Sequence, residues 1–216
     1  MEKKVLIITG GNVEEVVLKR CIQIHQYTEI IAVDRGLMTA DQLDLPLGYI
    51  VGDFDSVPEK ILDKYRDSVV PIETFPAEKD MTDTEIAINL ALSHGADTID
   101  LIGATGSRLD HTLANLHLLL NPLEKGVSAC ILDSHNKIYL KKDSFLIRRD
   151  EQYGDYVSFL PFHGDVFGLT LEGFKYPLLG VRLGAGESLC ISNEIVAEEA
   201  KVIFEKGILV VFETRD

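Results

Sequence analysis

The sequence predicts an α/β N-terminal domain over residues 1–134 and a C-terminal all-β sandwich or barrel over 135–216. Two observations predict this. Up to residue 133, short apolar runs of strand length alternate with helical stretches. Strands that read as continuous apolar runs between helices belong to parallel sheets covered on both faces, so the first part is Rossmann-like. Beyond residue 134, strand-like runs recur about every ten residues between Gly and Pro turns, the pattern of a small antiparallel fold.

The elements follow in order. A run at 5–8 ends at Thr9-Gly10-Gly11, and a helix follows with apolar Val13, Val16, Val17, Cys21 and Ile24 on one face. A run at 30–33 ends at Asp34-Arg35-Gly36, and one at 49–51 ends at Gly52-Asp53-Phe54-Asp55-Ser56. A run at 69–72 leads to Lys79-Asp80-Met81-Thr82-Asp83, and one at 98–102 ends at Gly103-Ala104-Thr105-Gly106. A run at 129–132 closes the series. The second part offers strands at 137–141, 145–149, 156–160, 166–171, 178–183, 188–191, 200–204 and 208–212. The apolar stripes show no surplus that would mark an interface.

The chain has 216 residues, with 21 Lys+Arg against 35 Asp+Glu and a net charge of −14. No basic run exceeds two residues, which excludes a nucleic-acid or anionic-membrane surface. No apolar stretch approaches the ~18 residues of a membrane span. Cys21, Cys130 and Cys190 are odd in number and lack C-x-x-C spacing, so they read as free, buried thiols in a reducing cytoplasm.

The acids matter more by position than by number. Ligands of open α/β sheets bind outside the carboxyl ends of the strands, where five Gly- and Asp-rich loops should converge. Asp53 and Asp55 lie in a strand-to-helix turn, two residues apart, and Ser56 and Glu59 have capping-box spacing with Pro58 in the first turn. Two close carboxylates repel unless a hard cation such as Mg²⁺ joins them. The alternative is a pair of independent helix caps. Thr82 and Glu85 repeat the capping-box spacing, but that leaves Asp80 unexplained, and Asp80 and Asp83 could close a carboxylate cage around metal-bound phosphates. Gly103, Thr105, Gly106 and Ser107 precede a helix whose predicted buried stripe is Leu109, Leu113, Leu116 and Leu120. Arg108 sits in its first turn, where the helix dipole disfavours a cation, so it calls for a phosphate or a carboxylate, either a ligand's or a neighbouring Asp. His111 reads as a residue bonded within its own loop. The other histidines lack metal-ligand spacing.

In this order, Asp34-Arg35-Gly36, Gly52-Asp53-Phe54-Asp55-Ser56, Lys79-Asp80-Met81-Thr82-Asp83 and Gly103-Ala104-Thr105-Gly106-Ser107-Arg108-Leu109-Asp110-His111 resemble thiamine pyrophosphokinases of the bacterial type. Ile191-Ser192-Asn193-Glu194 extends the resemblance across almost the whole chain. The resemblance implies an enzyme that moves a pyrophosphoryl group from ATP to the hydroxyl of thiamine, giving thiamine diphosphate and AMP. It implies a homodimer with active sites at the subunit interface, the α/β domain taking ATP and Mg²⁺ and the partner's sandwich helping to hold thiamine. Asp53, Asp55 and Asp83 would ligate Mg²⁺. Asp34, Asp80, Thr82, Gly103, Thr105, Gly106, Ser107 and Arg108 would line the nucleotide and phosphate site with Asp110, and Asp53, Ser192 and Asn193 would contact thiamine. Asp53, Asp55 and Asp110 are candidate acceptors of the hydroxyl proton, and Arg108 would add charge at the transferring group. Some relatives stack thiamine on a Trp, and this chain has none. Two rivals remain: a phosphatase with an Asp nucleophile in a D-x-D turn, and a non-catalytic nucleotide- or vitamin-binding module.

Overall fold

A computed structural model describes residues 2–74 and 80–216. The chain divides into two compact units, Met1–Ser134 and His135–Asp216.

The first unit runs β1 (Lys4–Ile8), α1 (Glu15–Ile24), β2 (Glu29–Val33), α2 (Gly36–Gln42), β3 (Tyr49–Gly52), α3 (Glu59–Arg66), β4 (Ile72–Thr74), α4 (Asp83–Ser93), β5 (Thr98–Ile102), α5 (Leu109–Leu118), α6 (Leu120–Glu124) and β6 (Ser128–Leu132). Its sheet has the order β4-β3-β2-β1-β5-β6, and every neighbouring pair is parallel. Leu6, Ile7, Ile31, Ile50, Ile99 and Leu101 are fully buried at the middle of this sheet, as covered parallel strands require. The chain moves outward from β1 to β4 and returns to the other side of β1 with β5. The order therefore reverses between β1 and β5, which puts the ligand crevice of such sheets at their carboxyl ends.

Several sequence expectations shift. The helix after β3 starts at Glu59 with Pro58 as its N-cap residue, and no side chain caps it. Pro58 disfavours helical backbone at Val57, so Ser56 lies too early to close the expected capping box. Thr82, by contrast, does cap α4, accepting a hydrogen bond from Glu85 N at 3.2 Å. Val69 is fully exposed, and the strand expected at 69–72 starts instead at Ile72, after Pro71. Helix α1 buries Val17, Leu18 and Cys21 and leaves Val16 and Ile24 outside. In α5 the expected leucine stripe is not the buried face. Asn115 is buried there because its Nδ2 donates to Ala104 O at 2.8 Å, and this turns Leu109 (72% exposed) and Leu113 (58%) outward. An apolar surplus is thus present on α5.

The second unit contains β7 (Asn136–Lys141), β8 (Phe145–Arg148), β9 (Tyr156–Glu172), β10 (Leu178–Leu183), β11 (Glu199–Ile203) and β12 (Lys206–Thr214), all paired antiparallel. The runs at 156–160 and 166–171 are one 17-residue strand. Pro161 does not end it, because the chain passes through a register irregularity in which His163 (φ 57°) and Gly164 (φ 117°) adopt left-handed backbone. The first half of β9 pairs with β12, and its second half lies between β10 and β11. Val157, Phe159, Leu169, Leu171, Phe174 and Val202 form the core, with Phe159 and Phe174 edge-to-face at 5.7 Å. The run at 188–191 is a turn rather than a strand. Only Cys190 is buried, and its carbonyl accepts from Phe159 N at 3.0 Å while Leu189 and Ile191 stay exposed. All three cysteines are buried thiols outside any disulfide, the Cys130 thiol donating to Asp100 Oδ1 at 3.0 Å, and burial pushes Cys21 and Cys190 up to about 11. No described helix is long and apolar enough to cross a membrane.

Candidate active site

The loops after β1, β2, β3 and β5 leave the same edge of the parallel sheet. The β1 loop is laced to the β5 loop by three backbone hydrogen bonds and by the Thr9 hydroxyl, which donates to Ile102 O at 3.4 Å. Thr9 N donates to Ile102 O at 2.8 Å, Gly11 N to Gly103 O at 2.9 Å and Asn12 N to Thr105 O at 2.9 Å. A Cβ on Gly11 would sit 2.2 Å from Gly103 O and 2.4 Å from Thr105 O. Gly103 (φ 78°) is equally confined, its added Cβ falling 2.6 Å from Thr9 O. These glycines allow two main chains to touch at the reversal point of the sheet.

Next to this floor stands a chain of carboxylates. Asp34 has left-handed backbone (φ 47°), and its Oδ1 accepts from Asp53 N at 3.2 Å. Gly52 makes that approach possible, since a Cβ there would lie 2.1 Å from Asp34 Oδ1. Asp53 Oδ1 in turn accepts from Asp55 N at 3.1 Å. Between the two acids, Phe54 is buried with φ 61°, so its ring anchors the turn while Asp55 stays exposed. Asp83 opens α4, with Asp80 exposed just ahead of it. Lys79 lies outside the described residues.

Among the described residues, no group of three or more His, Cys, Asp or Glu is gathered to hold a metal ion. The donors still suit Mg²⁺, which keeps several waters and binds through one or two carboxylates plus substrate phosphates rather than a closed protein cage. Asp53 and Asp55, in one turn, are such a pair.

On the β5 side, Thr105 Oγ1 donates to Asp133 Oδ2 at 2.9 Å, and Gly106 and Ser107 are exposed. Arg108 is the N-cap residue of α5 rather than a first-turn residue. Its guanidinium grips Asp110 with both arms, Nη2 to Oδ2 at 2.6 Å and Nε to Oδ1 at 3.2 Å. The carboxylate partner that the sequence offered for Arg108 is therefore its own neighbour. Hydrogen bonding from Arg108, with help from His111 N, holds the Asp110 carboxyl down to about 2.

In the second unit Ser192 is exposed with left-handed backbone (φ 55°), and its N–H donates to Ser158 Oγ at 2.9 Å. Asn193 is only 3% exposed. Its Oδ1 accepts from Tyr176 N at 3.0 Å and from Glu194 N at 2.9 Å, while its Nδ2 donates to Tyr176 O at 2.8 Å. Its amide thus fixes the backbone of Tyr176, a residue 59% exposed. Lys175 lies 5.7 Å over the Tyr176 ring and is paired with Glu194 at 2.6 Å.

Residues 22–131 match the family described as thiamin pyrophosphokinase, catalytic domain, and residues 144–209 match thiamin pyrophosphokinase, vitamin B1 binding domain. The thiamine pyrophosphokinase of Bacillus subtilis (strain 168) is 33% identical over 214 residues, covering 99% of this chain and 100% of the relative. The chain belongs to the thiamine pyrophosphokinase family. Two crystal structures of thiamine pyrophosphokinases match it closely. That from Bacillus subtilis superimposes with a TM-score of 0.89 at 32% identity, covering 99% of this chain and 100% of that one. That from Geobacillus thermodenitrificans gives 0.84 at 33% identity, covering 99% and 98%. The Thr9-Gly10-Gly11 loop, one of the five loops expected at the strand ends, does meet the β5 loop there. Two further features of this thiamine pyrophosphokinase fold were not expected from the sequence. Asp133 also follows a strand and fits the strand-end rule. Tyr176 had no local signal, because only the fold brings it beside Asn193.

Proposed function

We propose that the chain transfers a diphosphoryl group from ATP to the hydroxyl of thiamine, giving thiamine diphosphate and AMP. The observation that carries this is the match of a catalytic segment at residues 22–131 and a vitamin B1-binding segment at 144–209, one within each compact unit. The thiamine oxygen bonds to the β-phosphorus, the bond from that phosphorus to the oxygen bridging the α-phosphate breaks, and AMP leaves. Such transfers need positioning and charge neutralisation more than covalent help.

The residues take roles accordingly. Asp53, Asp55 and Asp83 would hold Mg²⁺ together with the triphosphate, and the bound ion would supply charge neutralisation. Gly103, Thr105, Gly106 and Ser107 line the phosphate path with Asp34, Asp80 and Thr82. Arg108 offers its guanidinium to the transferring group, and Asp110 orients it. Both Asp110 oxygens are taken by the Arg108 guanidinium, so Asp53 or Asp55 takes the hydroxyl proton. Ser192 contacts thiamine directly, whereas Asn193 acts through Tyr176. The exposed Tyr176 ring supplies the packing surface that a Trp gives some relatives, and a ring that already carries Lys175 also suits the cationic thiazolium. The enzyme works in the cytoplasm as a homodimer with sites at the subunit interface, and the exposed Leu109 and Leu113 on α5 support a partner surface. The phosphatase reading leaves the vitamin-binding match unexplained, and the binding-module reading leaves the catalytic-domain match unexplained.

Incubation with ATP, Mg²⁺ and thiamine tests this directly. AMP and thiamine diphosphate form in equal amounts, and only when thiamine is present. Phosphate release from ATP independent of thiamine would refute the proposal.

A further inference from the structure

The loop after β5 is anchored residue by residue as far as Thr105. Gly103 O accepts from Gly11 N at 2.9 Å, Ala104 O from Asn115 Nδ2 at 2.8 Å and Thr105 O from Asn12 N at 2.9 Å. Thr105 has a second tether in its side chain, whose Oγ1 donates to Asp133 Oδ2 at 2.9 Å. Beyond it Gly106, Ser107 and Arg108 are exposed, so Thr105 ends the anchored part of the loop. Asp133 reaches it from the next strand. It follows β6, whose Leu132 lies in register with Ile102 of β5, so the two strands end side by side. The following residue, Ser134, donates its hydroxyl to Glu14 Oε1, and Glu14 is the N-cap residue of α1. The turn after β6 thus grips both the β5 loop and the start of the first helix.

The residue types suit a support better than a ligand contact. A carboxylate can only accept, so it fixes the direction of the bond. The Thr105 hydroxyl gives its single proton to Asp133 and keeps only lone pairs for any other neighbour. It is then no donor to an anionic oxygen, and the loop meets such a group through its main chain. An acid aimed at an anion would repel it, whereas this half-buried acid turns an oxygen inward onto a hydroxyl. A bond to a charged acceptor is also about twice as strong as a neutral one, which is what a single side-chain tether needs.

We infer that Asp133 is a positioning residue of the reaction, which acts through Thr105 to set where the segment from Gly106 to Arg108 stands. It touches no reacting atom itself. The inference rests on the proposed transfer from ATP and adds a residue that lies outside the glycine loop it controls.

Amide hydrogen exchange followed by NMR tests the tether with no ligand present, and circular dichroism verifies the fold. In Asp133→Ala the Asn12 N–H, bonded to Thr105 O, exchanges about tenfold faster, while the Thr9 N–H, bonded to Ile102 O, keeps its wild-type rate. In steady-state assays the same variant raises KM for ATP about tenfold, the scale of one lost hydrogen bond to a charged group. KM for thiamine stays within about twofold, a split that general loss of structure would not give. Asp133→Asn, which keeps an acceptor in place, recovers most of the loss. Thr105→Val breaks the bond from its other end, matches Asp133→Ala, and takes its place should that variant unfold. The double variant Thr105→Val/Asp133→Ala falls no more than about twofold below either single one. An unchanged Asn12 exchange rate or a wild-type KM for ATP in Asp133→Ala overturns the assignment. So does a double variant that loses the product of the two single effects, because the hydroxyl would then meet a ligand on its own. A chain whose amides behave as described yet makes no thiamine diphosphate overturns the proposed reaction and leaves the tether standing.

Discussion

In the turn after β3, Asp53 commits one carboxylate oxygen to the neighbouring amide of Asp55 and remains partly open to solvent. In the turn ahead of β11, Asn193 is buried and its amide is used at both ends on backbone groups. Both turns rely on a non-glycine residue in left-handed backbone, Phe54 in one and Ser192 in the other. They differ in what the polar side chain is for. Asp53 keeps lone pairs available to a ligand, whereas Asn193 holds the main chain that presents Tyr176. Loss of the first removes chemistry and spares the fold, and loss of the second removes architecture first.

The largest test of that contrast is Asp53→Asn, with Asp83→Asn beside it. Each lowers kcat about 10³-fold, the scale for losing one group that meets developing charge, with unchanged circular dichroism. Full activity at ordinary Mg²⁺ in either variant would remove that residue from the ion site. Gly11→Ala should act the other way, costing about 3 kcal/mol of stability because its Cβ meets two carbonyl oxygens that cannot both retreat. Chemical denaturation measures it, and a wild-type midpoint would mean that the two loops separate easily. Asn193→Ala comes next, at about 2 kcal/mol for orphaned backbone groups. Its KM for thiamine rises as Tyr176 loosens. A variant with intact stability and raised KM would instead make Asn193 a direct thiamine contact. The smallest effect is Arg108→Ala on its partner. The pair's contribution is present above the ordinary 3.8 of Asp110 and is lost as pH falls through about 2. Without Arg108, a carboxyl NMR titration finds Asp110 back toward 3.8, and no movement would mean that another donor holds it.

The first unit is legible where burial on both strand faces produces unbroken apolar runs, so the sequence itself assigns the loops carrying Asp34, Asp53 and Gly103 to strand ends. Helix faces were less legible. The rotation of α5 depends on a carbonyl at Ala104 that needs a donor, and no periodicity reports such a need. The helix after β3 starts late because Pro58 acts on the residue before it, a local rule that the capping-box spacing masked. In the second unit Pro161 imitated a chain break, although β9 runs on past it beside β12. Tyr176 and Asn193 are 17 residues apart and meet only through tertiary pairing, so the sequence showed the asparagine and not the ring it supports.

The pairing of β12 has a consequence for how the molecule is made. β7, the first strand of the second unit to be synthesised, and the front half of β9 both take β12, the last, as their neighbour. A chain emerging from the ribosome can assemble the parallel sheet as soon as β6 is out, whereas the second unit keeps open edges until Lys206–Thr214 arrive. Nascent chains stalled before Lys206 should therefore show a protease-resistant N-terminal fragment and a labile remainder. Equal resistance of the two would mean that the β unit gathers its strands without waiting for its last.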